Sequence, residues 1–202
     1  MKVLPIGIQS FKKLRKADCL YVDKTGILQS LIESGPQYFL SRPRRFGKSL
    51  TLSTLEAMFN GEIELFKGLK AEEWVRKQAE SLSPVLRFDM SRLRRYSTPE
   101  GLNNSLIKGL EDFATFHDLN ISTEDTADGM LLKVIYSLYK RYSSVVILID
   151  EYDKPILDNI MDLKKANEMR EILRSFYTII KSCDDYLRFV FITGISKFSK
   201  TG

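Results

Sequence analysis

The 202 residues, 44% hydrophobic and 28% charged with a net charge of +5, are ordinary for a soluble globular chain and long enough to bury one substantial core. No apolar run approaches the roughly eighteen residues of a membrane span, and Met1-Lys2-Val3-Leu4-Pro5-Ile6-Gly7 lacks the apolar stretch of a signal peptide. Cys19 and Cys183 have neither ligand nor C-x-x-C spacing and His117 is the single histidine, which argues against a disulfide framework, a zinc site or a Ser-His-Asp triad and for a cytoplasmic location.

Residues 1–36 read as a lead-in to be packed on a core, with an amphipathic turn around Phe11 and Leu14 and an extended Leu20-Tyr21-Val22. Asp23 is expected to cap a helix carrying Ile27, Leu28, Leu31 and Ile32 on one face, which Gly35-Pro36 ends. Tyr38-Phe39-Leu40 reads as a short buried strand running into Ser41-Arg42-Pro43-Arg44-Arg45-Phe46-Gly47-Lys48-Ser49-Leu50. Leu52, Leu55, Met58 and Phe59 then mark a helix that Asn60-Gly61 stops, followed by a helix around Trp74 and Val75.

The second half of the chain repeats the alternation. Val85 to Asp89 forms a strand, and Thr98-Pro99 starts a helix whose apolar face is Leu106, Leu110, Phe113 and Ala114. A polar loop from Asn120 to Asp128 leads to a helix through Met130, Leu131, Val134, Ile135 and Leu138. Val145-Val146-Ile147-Leu148-Ile149 is an aliphatic run that predicts a central parallel strand buried on both faces, ending in Asp150-Glu151. A long amphipathic helix through Met169, Leu173, Phe176, Tyr177 and Ile180 precedes a fourth strand, Leu187 to Thr193. Strands alternating with helices from residue 38 onward imply a three-layer α/β fold with a mostly parallel sheet flanked by helices, its core spanning residues 37–202.

Gly47-Lys48-Ser49, between a strand and a helix, is the second half of a P-loop, G-x-x-x-x-G-K-[ST]. Arg42 stands where the first glycine belongs, and Pro43, Arg44 and Arg45 follow it. In such a loop Gly47 lets the backbone approach an anion, Lys48 reaches the β- and γ-phosphates, Ser49 offers its hydroxyl to Mg²⁺, and the opening helix adds partial positive charge. In open α/β sheets ligands bind at the carboxyl ends of strands, where Asp150 and Glu151 stand. Ser49 and Asp150 are therefore the expected metal-holding pair, and Glu151 the group that polarises a water for attack on the γ-phosphate. Thr193 or Ser196 could sense that phosphate through a hydroxyl, and equally could be turn or capping hydroxyls. Phe46 and Leu50 complete the expected nucleotide loop.

Taken together, Tyr21-Val22-Asp23-Lys24-Thr25, the Arg42-Pro43-Arg44-Arg45-Phe46-Gly47-Lys48-Ser49 loop, Ile149-Asp150-Glu151-Tyr152-Asp153 and Thr193-Gly194-Ile195-Ser196-Lys197-Phe198-Ser199 resemble the predicted AAA-ATPase-like family of bacterial and archaeal proteins. The resemblance spans the whole chain and makes Arg42 part of the family's own loop. It implies an additional-strand P-loop ATPase fold with Walker A at Lys48 and Ser49, Walker B at Asp150 and Glu151, and ATP with Mg²⁺ as ligands. It also implies that such a module is often followed by a domain resembling PD-(D/E)XK nucleases, a possible effector outside this chain. Ending at Gly202, the chain is expected to be a truncated module lacking a fifth strand and a lid.

The resulting expectation is an ATP-binding, Mg-dependent ATPase acting as a nucleotide switch on a protein partner or effector domain. The alternatives are a catalytically silent nucleotide-binding or protein-interaction module, and a nucleic-acid-binding module. The last would use two basic clusters outside the loop, Lys12-Lys13-Arg15-Lys16 and Arg87-Arg92-Arg94-Arg95, which a solvated basic face explains about as well. Whether Arg42, Arg44 and Arg45 face phosphate or pair with carboxylates such as Asp23 or Asp153 is a question for the structure.

Overall fold

Five consecutive aliphatic side chains can all be buried only if their strand is covered on both faces. A computed structural model describing residues 2–93 and 97–195 places β3 (Val145–Asp150) at such a position, with every residue of it buried. Because successive side chains of a strand point to opposite faces, the run divides between two cores. Val145, Ile147 and Ile149 join one cluster with Leu86, Phe88, Leu187 and Val190; Val146 and Leu148 join another with Phe189 and Phe191.

Among the described residues the sheet has four strands in the order β1-β4-β3-β2, with β1 Gln37–Ser41, β2 Val85–Asp89 and β4 Leu187–Gly194. All three neighbouring pairs are parallel. The first core is covered by α5 (Pro99–Phe116), α6 (Ala127–Tyr142) and α8 (Leu163–Ser182). The second lies under α1 (Phe11–Lys16), α2 (Thr25–Ser34), α3 (Lys48–Phe59) and α4 (Glu72–Gln78). A short helix, α7 (Lys154–Leu157), which the apolar spacing does not announce, follows β3. The result is the expected three-layer P-loop NTPase-like architecture, with an all-parallel sheet.

Local signals account for most element boundaries. Thr98 accepts from the Gly101 N–H at 3.0 Å and Thr126 from the Gly129 N–H, each a hydroxyl N-cap. Glu56 of α3 pairs with Arg87 of β2, tying that helix to the sheet.

Two local expectations are corrected. The strand through Tyr38-Phe39-Leu40 is an edge strand, half covered, with Phe39 43% exposed. Its apolar run resembled a buried strand because composition does not report which neighbours a strand acquires. Asp23 is not the N-cap of α2, which is Lys24. Its Oδ1 instead accepts from the Thr25 N–H at 2.8 Å and the Thr25 hydroxyl at 2.6 Å, while Oδ2 accepts from the Lys70 N–H at 2.8 Å. The Thr25 hydroxyl in turn accepts from the Ala71 N–H. Asp23 and Thr25 thus fasten the lead-in to the loop before α4.

Desolvation pushes the Asp23 carboxyl up, but the hydrogen bonds from Thr25 and Lys70 outweigh it and hold the group below its ordinary 3.8. Such a group stabilises the folded chain above its unfolded pKa and loses that contribution as the pH falls through its folded one. Asp23→Asn should therefore cost about 1–2 kcal/mol at neutral pH. In urea titrations its deficit against the parent should shrink as the pH drops below 3.8.

Gly194 closes β4 against the ring of Tyr152. An added Cβ there would collide with that ring and lie 3.0 Å from Asp153 Oδ1. Gly194→Ala should lower stability by about 3 kcal/mol, the upper part of the range for overpacking a tight site, as read from the urea midpoint.

Candidate functional site

The loop between β1 and α3 is held at its start by the end of β4. The Arg42 N–H donates to Gly194 O at 3.2 Å and the Ser41 hydroxyl to Ile195 O at 2.9 Å. Gly47 has φ 76°, in the left-handed region that glycine adopts readily, and a Cβ there would meet nothing within 4 Å. Arg42 is not among the described residues with positive φ, so the backbone at that position does not call for glycine. The left-handed bend falls instead at Arg45, with φ 69°.

Lys48 is buried at 6% exposure and curls back under the loop, donating to the carbonyls of Arg42 at 2.9 Å and Pro43 at 3.0 Å. An ammonium has three N–H groups, so a third remains. The first bond of α3 runs from Thr51 N to Gly47 O, leaving the N–H groups of Lys48, Ser49 and Leu50 without acceptors inside the helix. Arg42, Arg44, Arg45 and Phe46 are exposed. None of the three arginines makes an ion pair among the described residues, and Asp23 is engaged by Thr25 and Lys70 instead.

Opposite the loop, β3 ends in Asp150, 1% exposed, and β4 brings Thr193, fully buried, beside it. The Thr193 hydroxyl donates to Asp150 Oδ1 at 2.6 Å and accepts from the Glu151 N–H at 3.3 Å, while Thr193 O accepts from the Tyr152 N–H at 3.0 Å. Asp153, also buried, accepts the Ile195 N–H at 2.9 Å. Glu151 has φ 51°, a left-handed conformation that costs a non-glycine residue on the order of 1–3 kcal/mol and is concentrated at functional sites. The alternation of the strand therefore ends at Asp150, and the turn sets the direction of Glu151.

Burial pushes the Glu151 carboxyl up, and the negative charges of Asp150 and Asp89 add to this; Lys154 and Lys48 oppose it. Asp89 is a member of the site that motif reading missed. It ends β2 in register with Asp150, with Oδ2 2.9 Å from Arg92 Nε. The available signal was the parallel form of the two strands, each an apolar run ending in a carboxylate.

The structure thus gathers Lys48, Asp150, Glu151 and Thr193 at the carboxyl ends of parallel strands, with Ser49 and Leu50 in the first turn of α3. Ser196 lies outside the described residues, as do Arg94 and Arg95. In the proposed nucleic-acid clusters Arg87 pairs with Glu56, Arg92 with Asp89 and Lys12 with Glu62, and Arg15 donates to the carbonyls of Leu65 and Lys67. Much of the basic charge is therefore already engaged. No described helix is long and apolar enough to cross a membrane.

A family profile described as "Predicted AAA-ATPase" matches residues 5–202. The chain belongs to that family. A relative described as "Uncharacterized protein in vnfD 5'region" from Azotobacter chroococcum mcd 1 is 42% identical over 205 residues. That alignment takes in 98% of this chain and 38% of the relative, so the chain spans well under half the relative's length. No solved structure matches the chain.

Thr193→Val keeps the shape of the side chain and removes the hydroxyl from between Asp150 and the Glu151 N–H. The change should cost about 2 kcal/mol, because the buried Asp150 carboxylate and the half-buried Glu151 N–H both lose their partner. Thr193→Ser should recover most of that loss in the same unfolding experiment.

Proposed function

We propose that the chain binds ATP with Mg²⁺ and hydrolyses it, acting as a nucleotide switch. One observation carries this reading: Lys48 and the open N–H groups of α3 share one end of the sheet with Asp150 and Glu151, and Lys48 lies within electrostatic range of Glu151. Family membership supports it independently.

The roles follow from the groups and their partners. The third N–H of Lys48 and the amides of Lys48, Ser49 and Leu50 hold phosphate oxygens, with the α3 terminus adding favourable potential. Gly47 fits this cradle because open space, rather than a side chain, lies where its Cβ would be. Ser49 and the Asp150 oxygen not engaged by Thr193 would hold Mg²⁺, which would supply positive charge to offset that of the phosphates. Glu151, with its carboxyl pushed up from its ordinary value by burial, takes the proton from the attacking water. Thr193 keeps Asp150 and the Glu151 backbone in fixed relation, so any hydroxyl sensing by Thr193 acts through those two groups.

As a switch, the module reports nucleotide state to a protein partner or to chain beyond these residues, such as the remainder of the longer relative. The engagement of Arg87, Arg92, Lys12 and Arg15 within the chain makes a nucleic-acid surface the weaker alternative.

Lys48→Ala should abolish Mg-ATP binding measured by calorimetry. Glu151→Gln should leave binding in place and lower phosphate release by roughly a hundredfold or more. Retained binding by a parent that releases no more phosphate than Glu151→Gln would instead select a silent nucleotide-binding module.

A further inference from the structure

Three arginines crowd the loop, and the structure separates one from the others. Arg44 lines a small cavity together with Glu151, Lys154 and Asp158; neither Arg42 nor Arg45 reaches it. The other cation in that cavity, Lys154, lies 2.9 Å from the Asp158 carboxylate. Arg44 makes no ion pair or hydrogen bond among the described residues. An arginine thus stands beside the residue assigned to the attacking water, with its five N–H donors uncommitted.

We propose that Arg44 is a catalytic arginine carried by the phosphate loop itself, its guanidinium placed on the γ-phosphoryl oxygens as charge builds on them during hydrolysis. This rests on the ATPase reading above. In that reaction the water oxygen bonds to the γ-phosphorus, and the bond from that phosphorus to the β–γ bridging oxygen breaks. The electron pair leaves with ADP, and the water proton goes to Glu151. Arg44 exchanges no proton or electrons, and contributes positive charge where the transferring group spreads its negative charge.

The division of labour between Lys48 and Arg44 supports this. Lys48 is buried and has two of its N–H groups tied to Arg42 and Pro43, so it presents one fixed contact from beneath the loop. The side of the site that holds Glu151 needs a second cation, and there a planar fork can engage two oxygens at once, as an ammonium cannot. The loop backbone is consistent with such placement. Its left-handed bend falls at Arg45, the next residue, where glycine would be conformationally easier. Many NTPases depend on an arginine supplied by a second molecule; here the cation is already part of the chain that binds the nucleotide.

The test uses the protein with Arg44→Ala, Arg44→Lys and Glu151→Gln, comparing ATP affinity, turnover and affinity for ADP with aluminium fluoride, a mimic of the transferring phosphoryl group. Because Arg44 is exposed, Arg44→Ala should keep the parent's thermal midpoint. It should bind Mg-ATP within about threefold of the parent while kcat falls by roughly a thousandfold and aluminium fluoride capture is lost. Arg44→Lys should restore only a small part, and millimolar guanidinium should partly rescue Arg44→Ala. Turnover by Arg44→Ala within about tenfold of the parent would overturn the proposal while leaving the ATPase reading intact. Parallel loss of affinity and kcat without guanidinium rescue would also overturn it, making Arg44 a binding residue. A parent whose phosphate release is no higher than that of Glu151→Gln would remove both proposals together.

Discussion

The hydroxyl of Thr193 lies between two strands and joins both to the chemistry at their ends. By donating to Asp150 and accepting from the Glu151 N–H, it fixes the two acidic residues of β3 relative to β4. The next two residues, Gly194 at the end of β4 and Ile195 just beyond it, accept from the Arg42 N–H and the Ser41 hydroxyl, so the same strand end positions the start of the loop. Loop and carboxylates are therefore held through one central strand. This is possible because the strands are parallel: all their carboxyl ends emerge on one edge of the sheet, and helices covering both faces leave that edge open.

The loop shows how a glycine position can be vacated without losing the shape of a phosphate cradle. Arg42 needs no left-handed backbone, and Gly47 keeps the one such conformation that leads directly into α3. The additional bend is carried by Arg45, and a matching strained residue, Glu151, stands at the end of β3. Two unfavourable backbone conformations on opposite sides of one site are maintained because the surrounding contacts over-determine them. The Lys48 bonds to the Arg42 and Pro43 carbonyls and the Thr193 bond to the Glu151 amide are the visible part of that support.

Much of the fold was legible in the sequence because burial on both faces leaves an unambiguous trace. Val145 to Ile149 could only be central, and the helical spacing of Met130, Leu131, Val134, Ile135 and Leu138 could only be one buried face. The apolar run Tyr38-Phe39-Leu40 marks where a strand lies along the chain but not how far it is covered. Three apolar residues suit an edge as well as a centre, and the difference lies in what pairs beside them. Asp23 was an expected helix cap because aspartate before an amphipathic run usually is one. Its second oxygen found the Lys70 N–H, a partner 47 residues away that local reasoning does not see.

The same division applies to the site. By itself the sequence determined the inventory and its order: a Gly-Lys-Ser loop between strand and helix, then Asp-Glu after a buried strand, then a threonine and glycine closing the next. Those patterns are local, and local patterns survive in a linear text. Only the tertiary structure decided that Asp89 stands in register with Asp150, that Thr193 is spent on Asp150 and Glu151, and that Arg44 lines a cavity with Glu151 that neither Arg42 nor Arg45 lines. Each of these depends on which strand ends lie side by side. That is set by the packing of two cores on opposite faces of the sheet, through contacts between residues far apart in the chain.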